Sequence, residues 1–315
     1  MAAVYGGGPD DSEEMVKRVL VTGSSGFIGR HAVPELVRLG YEVHAVNRRP
    51  SPPATGVFAH EADLLDAGQT GDVVRHVKPT HLLHLAWYAE HGKFWTSPLN
   101  LDWVAASTGL FKAFVEHGGT RAVFAGTCAE YDWSGDGPLH ETATLSNPRT
   151  LYGVCKNALR QVVQTYGQQA GTSVAWARVF FLYGRDEHPN RLIPSILRPL
   201  LAGQPAVVRS GAHVRDLLHV RDVAGGFVGL LDSDVTGTVN IASGDATTLG
   251  DVAREAARLI GREDLLTVER QAATPENPGR IVADAARLRR EVGWAPRYDL
   301  RSGLRDVVES LRRPL

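Results

Sequence analysis

The sequence predicts an α/β protein: a doubly wound parallel sheet with a smaller C-terminal α/β region. Three observations carry this expectation. Short apolar, β-branched runs alternate with helical stretches from Arg18 to Phe180, the pattern of repeated βαβ units. A glycine-rich turn joins the first of these strands to a helix near the start of the chain. From Arg185 the composition shifts towards Pro, Arg and loops, where a second region should begin.

The 315 residues allow one large domain or two closely joined ones, and 43% hydrophobic with 22% charged residues is ordinary for a globular enzyme. The net charge of −1 and the lack of a basic stripe argue against nucleic acid as a partner. Cys128 and Cys155 form no metal-ligand spacing and suit a reducing compartment. No metal is expected. No run of about 18 apolar residues predicts a membrane span. Residues 1–15 read as a disordered tail without the apolar core of a signal peptide, so a cytoplasmic location is expected.

Arg18 to Thr22 reads as the first strand, Gly23-Ser24-Ser25-Gly26-Phe27-Ile28-Gly29 as the turn, and His31 to Leu39 as a helix ended by Gly40. Pro34 predicts a kink or an early irregular turn in that helix. Tyr41 to Val46 reads as a second strand. In a β-turn-α-β unit of this kind the first glycine turns the chain. The second admits a pyrophosphate, and the third lets the helix pack close to the sheet. Gly23, Ser25, Gly26, Phe27, Ile28 and Gly29 are therefore candidate dinucleotide contacts on a Rossmann-type fold, with a plain tight turn as the alternative. The helix start would hold the phosphates.

The three-three glycine spacing, with Thr22 before it and Phe27-Ile28 inside it, resembles the extended short-chain dehydrogenase/reductase family, its NAD-dependent epimerase/dehydratase group. That resemblance implies nicotinamide chemistry, largely on sugar nucleotides.

The end of the second strand bears on the cofactor. An acidic residue commonly takes the ribose hydroxyls there, but this chain has Asn47, followed by Arg48 and Arg49. A neutral amide and two cations admit a 2′-phosphate, so NADP(H) is favoured over NAD(H). The alternative is that both arginines are solvated loop charges. Val57 to His60 reads as a third strand. The resemblance then implies adenine contacts for Asp63 and Leu64, with Asp66 as a helix cap.

His81 to Ala86 reads as a buried parallel strand. His84-Leu85-Ala86 resembles the family's ribose-lining strand end, which implies cofactor contacts for Leu85 and Ala86. His84 itself reads as a core histidine. Trp87, Tyr88, Phe94 and Trp95 put four aromatics into a loop at the carboxyl end of that strand, where ligands of open α/β sheets bind. Trp87 and Tyr88 are candidate substrate contacts, and a hydrophobic lid or a dimer contact is the alternative. Asn100 to Glu116 reads as a helix with an apolar face of Leu101, Val104, Leu110, Phe111 and Phe114. Asn100 matches an asparagine the family keeps near the nicotinamide.

Ala122 to Ala125 reads as the fifth strand. Thr127, four residues before Tyr131, fills the family's Ser/Thr position, where its hydroxyl would bond a substrate oxygen. Cys128 follows it as a candidate substrate contact. Tyr152 and Lys156 stand four apart, on one helix face. An ammonium beside the phenol, with a nearby nicotinamide, would lower the phenol pKa into a useful range. Thr127, Tyr152 and Lys156 are the candidate catalytic residues, and Tyr152 and Lys156 are cofactor contacts too.

Ser173 to Phe180 reads as the sixth strand. It leads to Phe181-Leu182-Tyr183-Gly184, where Phe181 replaces the family's Asn. Residues 16–184 are assigned to the dinucleotide-binding domain, with a return to it around 216–243, and 185–315 to the substrate domain. Helices are expected over Leu192 to Leu201, Leu249 to Ile260 and Leu300 to Leu311. Arg215-Asp216 through Asp222 resembles the family's diphosphate-clamping segment, which implies phosphate contacts for Arg215 and also for Arg280. Arg191 is a further substrate candidate, and Asp222 reads as a helix cap.

The resemblance implies a nucleotide diphosphate sugar as substrate and a homodimer, but not which reaction runs. Dehydratases of the group carry Asp-Glu after the catalytic Thr; here those positions are Cys128 and Ala129. The fucose-type epimerase-reductases place a Cys where this chain has Ala129. The segment from Trp87 to Trp95 resembles the 4-ketoreductases that finish deoxysugars such as abequose. The expectation is therefore NADPH-dependent reduction of a nucleotide-linked 6-deoxy-4-keto sugar. The alternatives are a 4-epimerase with tightly held NAD and a non-catalytic NADP-binding regulator. The latter usually lacks the Tyr or the Lys.

Overall fold

The computed structural model describes residues 16–49 and 55–312. The expected tail, residues 1–15, lies outside them. Seven parallel strands form one sheet in the order β11-β6-β5-β4-β1-β2-β3. They are β1 (Arg18–Thr22), β2 (Glu42–Asn47), β3 (Val57–Glu61), β4 (His81–His84), β5 (Arg121–Thr127), β6 (Ser173–Val179) and β11 (Gly237–Ile241). Helices α1 (Gly29–Arg38) and α6 (Val220–Asp232) cover one face; α2 (Ala67–Val77), α3 (Leu99–Glu116) and α4 (Leu151–Ala170) cover the other. This is the doubly wound Rossmann-type α/β fold. Strand order reverses between β1 and β4, and it is at the carboxyl ends of the strands beside such a reversal that open α/β sheets take ligands.

The strands form because their residues are apolar and β-branched on both faces. Val19, Leu20 and Val21 are fully buried, as are Leu82, Leu83, Val123 and Phe124. Helix α1 runs through Pro34, and the irregularity sits at its start, where the His31 and Ala32 amides both donate to the Ile28 carbonyl. The bond Pro34 removes is the one to Arg30, in the first turn, so the rest of the helix is unaffected. Gly40 adopts φ +83° beyond the helix end. Asp66 caps α2 by accepting from the amides of Gly68 and Gln69. The apolar face expected of α3 is narrower than its sequence suggests: Leu110, Phe111 and Phe114 are buried, whereas Leu101 is exposed.

Beyond β6 the chain leaves and re-enters the sheet region. Strand β7 (Phe181–Tyr183) pairs with β10 (Leu217–His219). Helices α5 (Leu192–Leu201), α7 (Leu249–Ile260) and α9 (Leu300–Arg312) pack around a separate core of Ile193, Leu197, Val252, Ala256, Leu304 and Val307. Strand β8 (Ala206–Val208) pairs with β13 (Leu266–Val268). A three-stranded ribbon has β9 (Val214–Arg215) between β12 (Thr247–Thr248) and β14 (Arg280–Ile281). Helix α8 (Ala286–Arg290) returns Leu288 to the main core beside α6. Asp222 does not cap α6; His219 does, accepting from the Arg221 amide. Asp222 instead accepts from the amides of Arg297 and Tyr298 (3.0 and 2.9 Å), anchoring the segment before α9. No helix among the described residues is long and apolar enough to cross a membrane.

Candidate active site

The glycine turn is built from contacts a side chain would destroy. Gly23 adopts φ +69°, and a Cβ there would stand 2.8 Å from the Ala86 amide nitrogen. Gly29 serves differently from the expected packing against the sheet: its Cβ would stand 2.2 Å from the Gly23 carbonyl oxygen and 2.7 Å from Ser24 Cα. The helix start therefore packs on the turn itself. At Gly26 a Cβ would meet only the Gly23 oxygen, at 3.0 Å, with open space beyond. No side chain caps the start of α1; the amides of Arg30 and His31 donate to the carbonyls of Gly26 and Ile28, and the positive end of the helix faces the turn. Arg30 folds back on the carbonyl oxygens of Gly26 and Ser25. This cradle fits a dinucleotide pyrophosphate.

Around it, Ser24 Oγ donates to Asn47 Oδ1 (2.8 Å), tying the turn to the end of β2. Arg48 and Arg49 follow, exposed. Leu85 and Ala86 lie against the turn through Thr22, whose backbone and hydroxyl oxygens accept from their amides. His84 is a core residue: its ring bonds Thr22 Oγ1 (2.7 Å) and Ser107 Oγ (2.8 Å), and burial lowers its pKa to about 3. Asp63 uses a carboxylate oxygen on the Leu65 amide within its own turn, and Leu64 is buried in the core.

Asn100 requires a correction. It is fully buried, donates to the carbonyls of Phe94 (2.7 Å) and Ser97 (2.8 Å), and accepts from Trp87 Nε1 (2.8 Å). It holds the aromatic loop in shape and has no surface to offer a cofactor. That loop reaches helix α4. Phe94 and Trp95 meet the Tyr152 ring edge-on, with centroids 4.9 and 5.7 Å away, and the Trp95 carbonyl accepts from the Tyr152 amide. Trp87 lies under Lys156 Nζ, 3.8 Å from its ring centroid. Tyr88 is turned to Glu90, to which its hydroxyl donates (2.8 Å).

Thr127 ends β5 and caps the 3₁₀ turn Cys128–Glu130. Burial raises the pKa of the Tyr152 phenol, and the charge of Glu130 adds to the rise. The Thr127 hydroxyl favours the phenolate, but burial outweighs it. The expected lowering by Lys156 is not what sets the phenol. Lys156 is buried, donates to the Ala125 carbonyl (2.8 Å), and is itself pulled down to about 7 by burial. Cys128 is enclosed and pushed up to about 12 by burial.

On the second region, Arg215 is buried. It donates to Asn277 Oδ1 and the Val214 carbonyl, and lies over the Phe181 ring at 5.3 Å. Phe181, where the family's Asn would stand, is thus the platform for this arginine. Arg280 is on the adjacent strand, paired in register with Val214. Arg191, at the start of α5, lines a cleft of about 360 Å³ with Phe27, Glu90, His91, Glu187 and His188. Its charge acts on both Tyr152 and Glu187. Glu187 went unnoticed in sequence; burial raises its carboxyl to about 8. A larger hollow between α2 and α3, lined by Leu64, Ala105, Gly109 and Ala113, lies away from these groups and offers little chemistry.

Residues 19–242 match the family model described as the NAD dependent epimerase/dehydratase family. The chain belongs to that family. Among its curated relatives is UDP-glucuronic acid decarboxylase 1 of Xenopus tropicalis, 27% identical, with 96% of this chain and 74% of the relative covered. Among solved structures, the Thermus thermophilus UDP-glucose 4-epimerase complex with NAD is 26% identical, with a TM-score of 0.82 over 95% of this chain and all of that one. MoeE5 in complex with UDP-glucuronic acid and NAD is 29% identical, also with a TM-score of 0.82, over 95% and 100%.

Proposed function

We propose that the protein is a nucleotide-sugar enzyme that reduces the C4 keto group of a nucleotide-linked 6-deoxy-keto sugar with NADPH, in deoxysugar biosynthesis. The observation that carries the direction is Tyr152, a phenol kept protonated by burial and by Glu130. Such a group is poised to give a proton rather than to take one.

The glycine turn, Asn47, Arg48, Arg49 and Lys156 would hold the cofactor. A nicotinamide held there would supply the hydride that the carbonyl carbon takes up. Tyr152 gives its proton to the carbonyl oxygen, and the Thr127 hydroxyl orients that oxygen. Lys156 restores charge balance beside the phenolate left behind. Phe94 and Trp95 fix the Tyr152 ring and shield it from water. Arg215 and Arg280, on adjacent strands, bind the diphosphate, with Arg191 closer to the sugar. The preference for NADPH rests on Asn47, Arg48 and Arg49, since a carboxylate at that point would repel a 2′-phosphate. Dehydration is disfavoured because Cys128 and Ala129 supply no acid/base pair at neutral pH. A homodimer through α3 and α4 is supported by the exposed Leu101, Val154 and Val162.

The second reading is a sugar-nucleotide 4-epimerase. It is favoured by neighbours such as the Thermus thermophilus enzyme, solved with NAD. One experiment separates the two: NADPH and NADH oxidation with a panel of nucleotide-linked keto sugars, alongside analysis of the nucleotide carried by purified protein. Net NADPH consumption supports reduction. Stoichiometric bound NAD and conversion without consumption would establish the epimerase instead.

A further inference from the structure

Behind the turn that carries Thr127 lies a charged cluster of which the proposed chemistry has so far drawn only on the charge of Glu130. Glu130 is fully buried. Its Oε1 accepts from the Thr127 amide (2.8 Å) and from Trp176 Nε1 (2.9 Å). Its Oε2 accepts from Arg178 Nε (2.9 Å), and Arg160 Nε stands 3.7 Å away. Arg178 is held in turn by Ser146 Oγ (2.7 Å) and by the Tyr131 ring, 4.0 Å below its guanidinium. Residue 126 must be glycine for this to fit: a Cβ there would stand 2.1 Å from Trp176 Nε1 and 2.7 Å from Glu130 Oε1. Buried ion pairs add little stability that an apolar replacement could not, so packing alone is a poor reason for this cluster.

We propose that Glu130 is a positioning residue for the proton-donating group, fixing Thr127 opposite Tyr152 and setting a buried negative charge behind Tyr152 and Lys156. The inference rests on the proton-donor role of Tyr152 given above. The carboxylate bonds the Thr127 backbone directly, and the Thr127 hydroxyl acts on the phenol in the sense that favours its ionised form. The same charge opposes the pull of burial on Lys156. The other groups facing Tyr152 are Cys128 from the turn, Arg191 from α5, and Phe94 and Trp95 from the aromatic loop. Lys156 faces the Ala125 carbonyl and Trp87. Arg178 and Trp176 face Glu130 from β6, and Arg160 faces it from α4.

The test reads Lys156 itself, without substrate or cofactor. The chain has five lysines, Lys17, Lys78, Lys93, Lys112 and Lys156, so carbon-13-labelled lysine gives a resolvable titration, with Lys156 assigned through Lys156→Arg. In Glu130→Gln the Lys156 midpoint should fall by roughly one pH unit or more, since two cations then lack their anion. In Arg178→Gln it should stay or rise, because Glu130 is less neutralised. A merely structural role predicts similar disturbance in both. An unmoved Lys156 in Glu130→Gln, or the same downward shift in both variants, overturns the proposal. Should Glu130→Gln fail to fold, the paired Glu130→Gln/Arg178→Gln variant carries a smaller fall in the same direction, because one cation leaves with the anion, and an unmoved or raised Lys156 there overturns the proposal. Turnover of Tyr152→Phe is measured separately. If that variant stays active, the proton-donor reading fails, while the Lys156 titration still judges the placement of the charge.

Discussion

Replacing Gly26 and Gly29 by alanine, one at a time, separates a turn that merely folds from one that binds. At Gly29 the new methyl would overlap backbone on three sides: 2.2 Å from the Gly23 oxygen, 2.7 Å from Ser24 Cα and 2.8 Å from the Ser24 oxygen. Backbone cannot rotate aside, so the turn must open, at about 3 kcal/mol by the usual scale of overpacking. At Gly26 the methyl meets one oxygen at 3.0 Å and the residue is not in the left-handed region. A shift of a few tenths of an ångström relieves the contact. The lost freedom of the unfolded chain returns ~0.4–1 kcal/mol, so stability should change by less than about 1 kcal/mol. The methyl nevertheless occupies the side a pyrophosphate must approach. NADPH affinity should then fall ~10–100-fold, or about 1.4–2.8 kcal/mol. Urea unfolding and calorimetric titration with NADPH measure the two quantities independently. A stable Gly26→Ala protein that binds NADPH as tightly as the parent would refute the cradle as a dinucleotide site.

Four further outcomes are expected. Tyr152→Phe should lower turnover ~10²–10⁴-fold with NADPH binding nearly unchanged, checked by steady-state kinetics and fluorescence titration; weakened binding with intact turnover would contradict the assigned role. Arg48→Glu with Arg49→Glu should shift the NADPH-to-NADH preference at least ~10-fold towards NADH, read as the ratio of kcat/KM values. Asp222→Ala should cost about 3 kcal/mol in urea unfolding, because two amides before α9 lose a buried carboxylate acceptor. Lys156→Met should stabilise the fold by ~1–3 kcal/mol near pH 7. With the folded pKa near 7 and the unfolded value higher, the native state carries the full penalty of holding the proton below about pH 7. The penalty fades as pH climbs to the unfolded lysine's value, so the gap between variant and parent should close towards pH 10 in pH-resolved melts.

The sheet and the glycine turn were legible because their signals are local: a β-branched run, three glycines and a helix follow one another without interruption. Tyr152 and Lys156 were legible for the same reason, since four residues on a helix make one face. The residues misjudged have partners far along the chain. Asn100 looked like a cofactor contact until Trp87, Phe94 and Ser97 took up its amide. Asp222 looked like a cap, but its acceptors are used on amides 75 residues or more away. Glu130 gave no local sign of Arg178 and Trp176, which come from another strand. Phe181 read as a lost Asn, and only the placement of Arg215 shows what the ring supports. The direction of the Tyr152 shift depended on enclosure, which no spacing rule records.

The last strand of the main sheet, β11, arrives after the chain has already built part of the second core, and α6 just before it supplies Val223, Phe227 and Leu231 to the face that α1 covers. A fragment cut after residue 184 would lack that edge and half of that layer. It would leave β6 unpaired along one side, an invitation to aggregate. The two lobes therefore cannot be exchanged as whole cassettes. Diversification of this scaffold towards new carbohydrates has to proceed by changing loops in place, such as those carrying Trp87 to Trp95 and Arg185 to Arg191, while the woven framework stays intact.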